Sequence, residues 1–174
     1  PLEPAYTVTD ALQGLELQFP SVLHSANLLS EAVQIDTTVG DNIPDTDDWA
    51  EYWDSIFSPF ADWIQTSFPH MHDTASPVRR ELVNKHGLLY TWPGSDPTLK
   101  PIVLMSHQDV VPVANETLDQ WIHPPFSGHI DIENQTVWGR GSVDCKLWLV
   151  STISAVETLV KSDFTPKRTI SLSI

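Results

Sequence analysis

Apolar residues recur along this chain with two distinct periods. Val22, Leu23, Ala26, Leu29, Ala32 and Val33 fall at helical spacing, which predicts an amphipathic helix over Ser21 to Val33. A second helical stripe runs through Trp49, Trp53, Ile56, Phe57, Phe60, Ile64 and Phe68. Apolar periodicity of this kind reports burial, so its aromatics are assigned to the core. Pro59 interrupts the stripe: either Ser58 caps a second segment with Pro59 at its first position, or the helix kinks there. Pro69 ends the element, and His70-Met71-His72 reads as a solvated loop. A third helix is predicted over Ser142 to Lys161, where Leu147, Val150, Ile153, Val156, Leu159 and Val160 repeat.

The strand signals lie between and after the helices. Glu81 to Trp92 reads as two short strands joined at His86-Gly87. Ile102 to Met105 is an unbroken apolar run, which suits the interior of a sheet covered on both faces. Arg168 to Ile174 alternates and is β-rich, predicting another strand after a turn at Thr165-Pro166. Residues 1–20 read as an irregular arm, 36–48 as loop, and 110–137 as a loop-rich excursion with a hairpin over His129 to Trp138. Strand, long excursion, helix and strand make an α/β plan without internal repeats.

Composition narrows the possibilities. At 174 residues the chain can bury one core, so it is one domain or part of one. A net charge of −14 argues against nucleic acid and anionic membrane as partners, because phosphate binding needs a basic face. No stretch has the length and apolarity of a membrane span. Cys145 is the only cysteine, so no disulfide forms within the chain. Asn115-Glu116-Thr117 and Asn134-Gln135-Thr136 are acceptor sequons for a chain that enters the secretory pathway. The chain begins with Pro1 rather than Met, and a preceding segment is expected.

Candidate chemistry concentrates between Pro101 and Lys146. The apolar run delivers His107-Gln108-Asp109; two residues apart in extended chain, His107 and Asp109 point to one face. A carboxylate beside an imidazole orients the ring and makes it a better metal donor. Asp144 follows the Gly139-Arg140-Gly141 turn and offers an oxygen of the kind zinc accepts. It lies 37 residues beyond His107, so only the fold can bring the two together. The bland reading is that a His-x-Asp triplet recurs by chance, and that a glycine-pinned turn simply starts a helix. The turn is no phosphate loop: G-x-x-x-x-G-K is absent, and Asp144 would repel a phosphate. No local basic or histidine context activates Cys145 in a way the sequence shows, and it reads as a buried or partly buried thiol rather than a nucleophile. His24, His70, His72, His86, His123 and His129 have no ligand spacing.

The stretches SHQDVVPV, WIHPPFSG and VWGRGSVDCK resemble the M20 family of zinc peptidases. LSEAVQIDTT, HGLLYTWPGSDPTLKP and TLDQWIHPPFSG further resemble its fungal Gly-X carboxypeptidase (carboxypeptidase S) branch. That resemblance implies a three-layer α/β catalytic domain around a central mixed sheet. It implies two zinc ions sharing a bridging carboxylate and water, with His107 similar to the ligating histidine. Asp109 is similar to the active-site aspartate that orients it, and Asp144 to the aspartate that bridges both metals. The implied reaction is hydrolysis of a peptide bond to release a C-terminal amino acid, notably after glycine. The implied location is the vacuole or secretory pathway. In this family a Glu-Glu pair, base and ligand, follows the strand that RTISLSI resembles, and a lid domain comes later. The chain is therefore expected to be the incomplete first part of such a protein, inactive alone and a weak zinc binder. Residues 1–48 are expected as an arm and helix, and 49–174 as the first part of the catalytic domain. Cys145 stands where the family usually has Asp or a similar polar residue, and Leu147-Trp148 where it has a small one. Two alternatives stand beside this reading: a truncated product or pseudoenzyme that only binds partners, and an aminoacylase-type N-acyl amino acid hydrolase. No oligomeric state is implied.

Overall fold

The computed structural model describes residues 20–40 and 49–174; the expected arm over residues 1–19 and the loop over 41–48 lie outside them. Helix α1 spans Val22–Gln34, with the Ser21 hydroxyl accepting from the His24 N–H at 3.1 Å as its N-cap. Its later turns bury Leu28, Leu29, Ala32 and Val33, whereas Val22 and Leu23 in the first turn stay exposed. Helix α2, Trp49–Ser67, runs through Pro59 as a single element. Phe60 and Ile64 are buried on it, with Phe68 just beyond its end, as the aromatic stripe predicts.

The expectation for His70-Met71-His72 is corrected. These residues form a helical turn, α3 (Pro69–His72), with Pro69 at its start and Met71 buried. The Glu157 carboxylate accepts the N–H groups of His70 and Met71, both at 2.8 Å. His72 contacts the Phe68 carbonyl at 2.7 Å and the Tyr90 hydroxyl at 3.1 Å. A buried methionine and these polar anchors outweigh the polar look of the segment.

The main sheet contains β1 (Arg79–Val83), β2 (Gly87–Trp92), β3 (Ile102–Met105) and β6 (Ile170–Ser173) in the order β1-β2-β6-β3. β1, β2 and β6 pair antiparallel, and β3 runs parallel to β6, so the sheet is mixed as expected. A separate hairpin, β4 (Ile130–Asp131) and β5 (Thr136–Val137), lies where the sequence places one. Alternation sends Leu88, Tyr90 and Trp92 of β2 to the same face as Leu172 of β6. There they meet Leu28 and Ala32 of α1, Phe60 and Ile64 of α2, and Leu149, Val150, Ile153 and Val156 of the long helix α4 (Leu147–Lys161). Burying one such aliphatic or aromatic side chain stabilises by roughly 1.5–3 kcal/mol, so this shared core fixes how the helices sit on the sheet.

Two expectations fail here. Among the described residues Ile102–Met105 does not have the interior position expected of it: β3 is at the edge of the described sheet and all four residues are exposed. Its register sets Leu104 beside Leu172, but the helical layer covers β2 and β6 and leaves β3 bare. The third helix also starts later than the expected Ser142, at the first residue of its apolar repeat. Ser142–Lys146 is a kinked turn in which Asp144 (φ −115°, ψ 98°) and Cys145 (φ −130°, ψ 30°) are not helical, and the peptide between them is cis. Regular helix begins at Leu147, and Leu147 and Trp148 are exposed.

Candidate metal centre

The first half of the site grows out of β3. The Ser106 N–H still donates to the Ser173 carbonyl at 3.0 Å, and the chain then leaves the sheet. Gln108 turns inward, its side-chain amide donating to the His86 carbonyl at 2.8 Å, while the Thr37 hydroxyl donates to the Gln108 carbonyl at 2.6 Å. The Val110 N–H donates to the Thr37 carbonyl at 3.1 Å and fastens the next residue to the segment after α1. With Gln108 and Val110 held inward, alternation turns His107 and Asp109 outward together.

The second half is the turn before α4. Gly141 has φ 82°, and a Cβ there would lie 2.4 Å from Val110 Cγ1, so only glycine lets the turn press this closely on the first half. The Lys146 N–H closes the turn on the Gly141 carbonyl at 3.0 Å. Cys145 joins the two halves: its thiol accepts the His107 N–H at 3.1 Å and donates to the His107 carbonyl at 3.3 Å.

These contacts place His107 Nε2 3.0 Å from Asp144 Oδ1. The other ring nitrogen, Nδ1, lies 3.0 Å from the Asp109 carbonyl oxygen and 3.2 Å from its carboxylate. A proton held on Nδ1 by Asp109 leaves the Nε2 lone pair facing Asp144. Partial burial pulls the His107 pKa down, but the Asp144 hydrogen bond, the Asp109 carbonyl and the two carboxylate charges outweigh it, so the ring titrates above its ordinary value. Half of the His107 and Asp109 side chains and 88% of the Asp144 side chain face solvent. The cleft beside them holds about 260 Å³ and is bordered by Val110, Arg140 and Ser142 as well as these three residues. Arg140 lays its guanidinium over the Trp121 ring at 5.3 Å.

The structure thus brings His107, Asp109 and Asp144 together, and it adds Cys145. Ligand atoms of His107, Asp144 and Cys145 all lie within 4.8 Å of one another. Imidazole nitrogen, carboxylate oxygen and thiolate sulfur are the donor types zinc takes, and two donors 3.0 Å apart are near the separation set by bonds of about 2 Å to one ion. The residues present fit a metal, as a partial and unusual His/Asp/Cys cluster. The sequence pattern does not reveal the third member. Asp144 and Cys145 are neighbours, and only the non-helical turn lets both approach His107. Their adjacency is the one signal available beforehand.

Comparison with known proteins supports the family. The sequence profile described as peptidase family M20/M25/M40 matches residues 103–174, which include both halves of the cluster. Carboxypeptidase S of Saccharomyces cerevisiae is 48% identical over 150 residues, covering 86% of this chain and 25% of that protein. A putative carboxypeptidase of the same yeast is 43% identical over 152 residues, covering 87% of this chain and 26% of its own length. The chain thus spans about a quarter of the length of these curated relatives. An M20 family metallo-carboxypeptidase from Sulfolobus solfataricus shares the fold, with a TM-score of 0.59 at 16% identity over 86% of this chain and 30% of that one. Identity of 48% across 86% of this chain, and a family profile that matches the stretch carrying both halves of the cluster, lead to one assignment: the chain belongs to the M20 peptidase family.

Proposed function

We propose that this chain supplies part of the metal centre of a zinc-dependent carboxypeptidase that releases a C-terminal amino acid from peptides, of the Gly-X type. The observation that carries the reading is the 3.0 Å approach of His107 Nε2 to Asp144 Oδ1, with Asp109 on the far side of the ring. In this reading His107 and Asp144 are metal ligands, with Asp144 the one shared between two zinc ions of a complete site. Asp109 holds the imidazole in the tautomer that binds metal and is the residue placed nearest the chemistry besides the ligands. When bound, zinc would polarise the scissile carbonyl and acidify water. The exposed Asp144 side chain and the open cleft leave room for a peptide to reach the pair. Similarity to carboxypeptidase S supports the peptide substrate. Residence in a vacuolar or secretory compartment belongs to the same proposal; the sequon residues Asn115 and Asn134 are both exposed, as acceptors must be.

Zinc titration by calorimetry tests the ligand assignment. Wild-type chain should bind zinc with measurable heat, and His107→Ala and Asp144→Ala should each remove it. Asp109→Asn should weaken binding by about ten- to a hundredfold, the usual effect of losing a partner that orients a ligand. Binding that is unchanged in both alanine variants would overturn the reading. The metal-loaded chain alone should not cleave an N-blocked Gly-Leu dipeptide; zinc-dependent turnover that Asp144→Ala abolishes would overturn the expectation that it is inactive by itself.

A further inference from the structure

Lys146 is fully buried, and no carboxylate among the described residues forms a salt bridge with it. Its ammonium instead donates to two main-chain carbonyls at the end of α1, Ala32 at 2.8 Å and Ile35 at 2.7 Å. It also lies over the Phe60 ring, 5.1 Å from the centroid. Main-chain carbonyls at a helix C-terminus carry partial negative charge, so the pairing is electrostatically favourable. It still requires an ammonium to leave water, a cost that a methionine of similar length would avoid. What methionine lacks is direction: two short donated bonds fix where the end of the side chain goes.

The position of Lys146 gives that direction a use. Asp144 is two residues away and its own side chain is almost fully solvated, so its carboxylate is placed by the backbone of the turn. That backbone is held on one side by the Cys145 thiol on His107 and on the other by Lys146. The lysine's main-chain N–H closes the turn, and its stem runs along Gly141, where a Cβ would come within 3.5 Å of Lys146 Cδ. We propose that Lys146 is a positioning residue for the metal centre: by donating to the Ala32 and Ile35 carbonyls it clamps the Ser142–Lys146 turn onto α1 and so sets the Asp144 carboxylate opposite His107. This inference rests on the metal reading of His107 and Asp144 given above. It makes α1, which contributes no ligand, part of the frame of the site.

The test uses cobalt(II), whose visible absorption reports ligand geometry, titrated into the whole chain. Lys146→Met keeps the volume and removes the donors; it should lower cobalt affinity about ten- to a hundredfold and alter the visible band at saturation, as loss of a group supporting a ligand does. Lys146→Gln retains a shorter donor and should fall between Lys146→Met and wild type. Val156→Ala, a cavity in the α4 core, should lower the melting temperature while leaving affinity and band shape unchanged. Equal affinity in Lys146→Met and wild type would overturn the proposal. So would an equal loss in Val156→Ala, which would reduce the effect to general stability. Should neither lysine variant fold, the carbonyl ¹³C shifts of Ala32 and Ile35 in the wild-type protein decide: they should move on metal binding, and fixed shifts would overturn the clamp. If His107→Ala and Asp144→Ala bind cobalt as well as wild type does, it is the metal reading that fails, whatever Lys146 does.

Discussion

The two sides of the sheet's centre are stabilised in different ways. Along β2 and β6, Leu88, Trp92 and Leu172 are 1% exposed and Tyr90 is fully buried, under α1, α2 and α4. One strand further, β3 is exposed along its whole length, from 40% at Leu104 to 78% at Met105. The covered half is held by apolar burial. The open half, from which the metal cluster projects, is held by a few directed contacts: Thr37 on Gln108, Cys145 on His107, and Lys146 on α1. Packing energy is spread over many atoms, whereas a directed contact is lost with one group. The contrast therefore predicts that substitutions in the covered half cost stability, and those in the open half cost site geometry.

The largest expected effect is in the covered half. Phe60 is fully buried against the sheet and the Lys146 ammonium, and Phe60→Ala should destabilise by about 3–5 kcal/mol, measured by urea denaturation. A loss below about 1 kcal/mol would mean that this half is not the core. Next is Gly141→Val in the open half. A side chain there meets Val110 at a φ of 82°, and the strain should cost about 1–3 kcal/mol. Its effect on zinc binding should be larger than its effect on stability suggests, because the turn carrying Asp144 must back away from His107. Zinc affinity falling no further than in a core variant of equal stability would erase the distinction between the halves.

A smaller effect is expected at the bare strand. Val103→Lys should change stability by less than about 0.5 kcal/mol, since Val103 is exposed. It should reduce self-association, because a charge on an open apolar edge blocks strand-to-strand pairing. Light scattering at rising protein concentration measures this. A destabilisation approaching that of Phe60→Ala would show β3 to be covered.

The same contrast decides what was legible in the sequence. The helical stripes of α1, α2 and α4 are readable because a 3.6-residue apolar period records the burial that makes the helix worth forming. The run Ile102–Met105 carries no such record: four apolar residues look alike whether a partner covers them or not, so its edge position is not legible. His107 and Asp109 are legible together because strand alternation alone sends them to one face. Asp144 is legible through the glycine turn before it. Cys145 and Lys146 are not, because the apolar period of α4 starts only at Leu147 and carries no information about the non-helical backbone of the turn before it. The roles of both depend on contacts with residues 38 and 111–114 positions away, which no local pattern encodes.

The smallest predicted effect concerns two histidines, one in each half, and it differs in sign between them. Burial lowers the His72 pKa; the Phe68 carbonyl opposes it, Arg80 adds to it and Glu157 opposes it, and the net shift is downward. The His107 pKa is raised, as its carboxylate neighbours outweigh partial burial. The unfolded chain gives both an ordinary value of about 6.5. For His72 the unfolded state binds the proton more tightly, so its contribution is complete above about pH 6.5 and is lost as pH falls toward the folded-state value. For His107 the folded state binds the proton more tightly, so its contribution is complete below about pH 6.5 and is lost as pH rises through the folded-state value. In metal-free wild-type protein the two slopes oppose each other between mildly acidic and neutral pH. Removing one should expose the other: His107→Gln should lose stability more steeply on acidification than wild type, and His72→Gln less steeply. Imidazole proton shifts followed by NMR across the same range should place the two midpoints on opposite sides of the ordinary value. Midpoints on the same side would mean that the two rings share one kind of environment, and the division of this fold into a packed half and a clasped half would lose its electrostatic support.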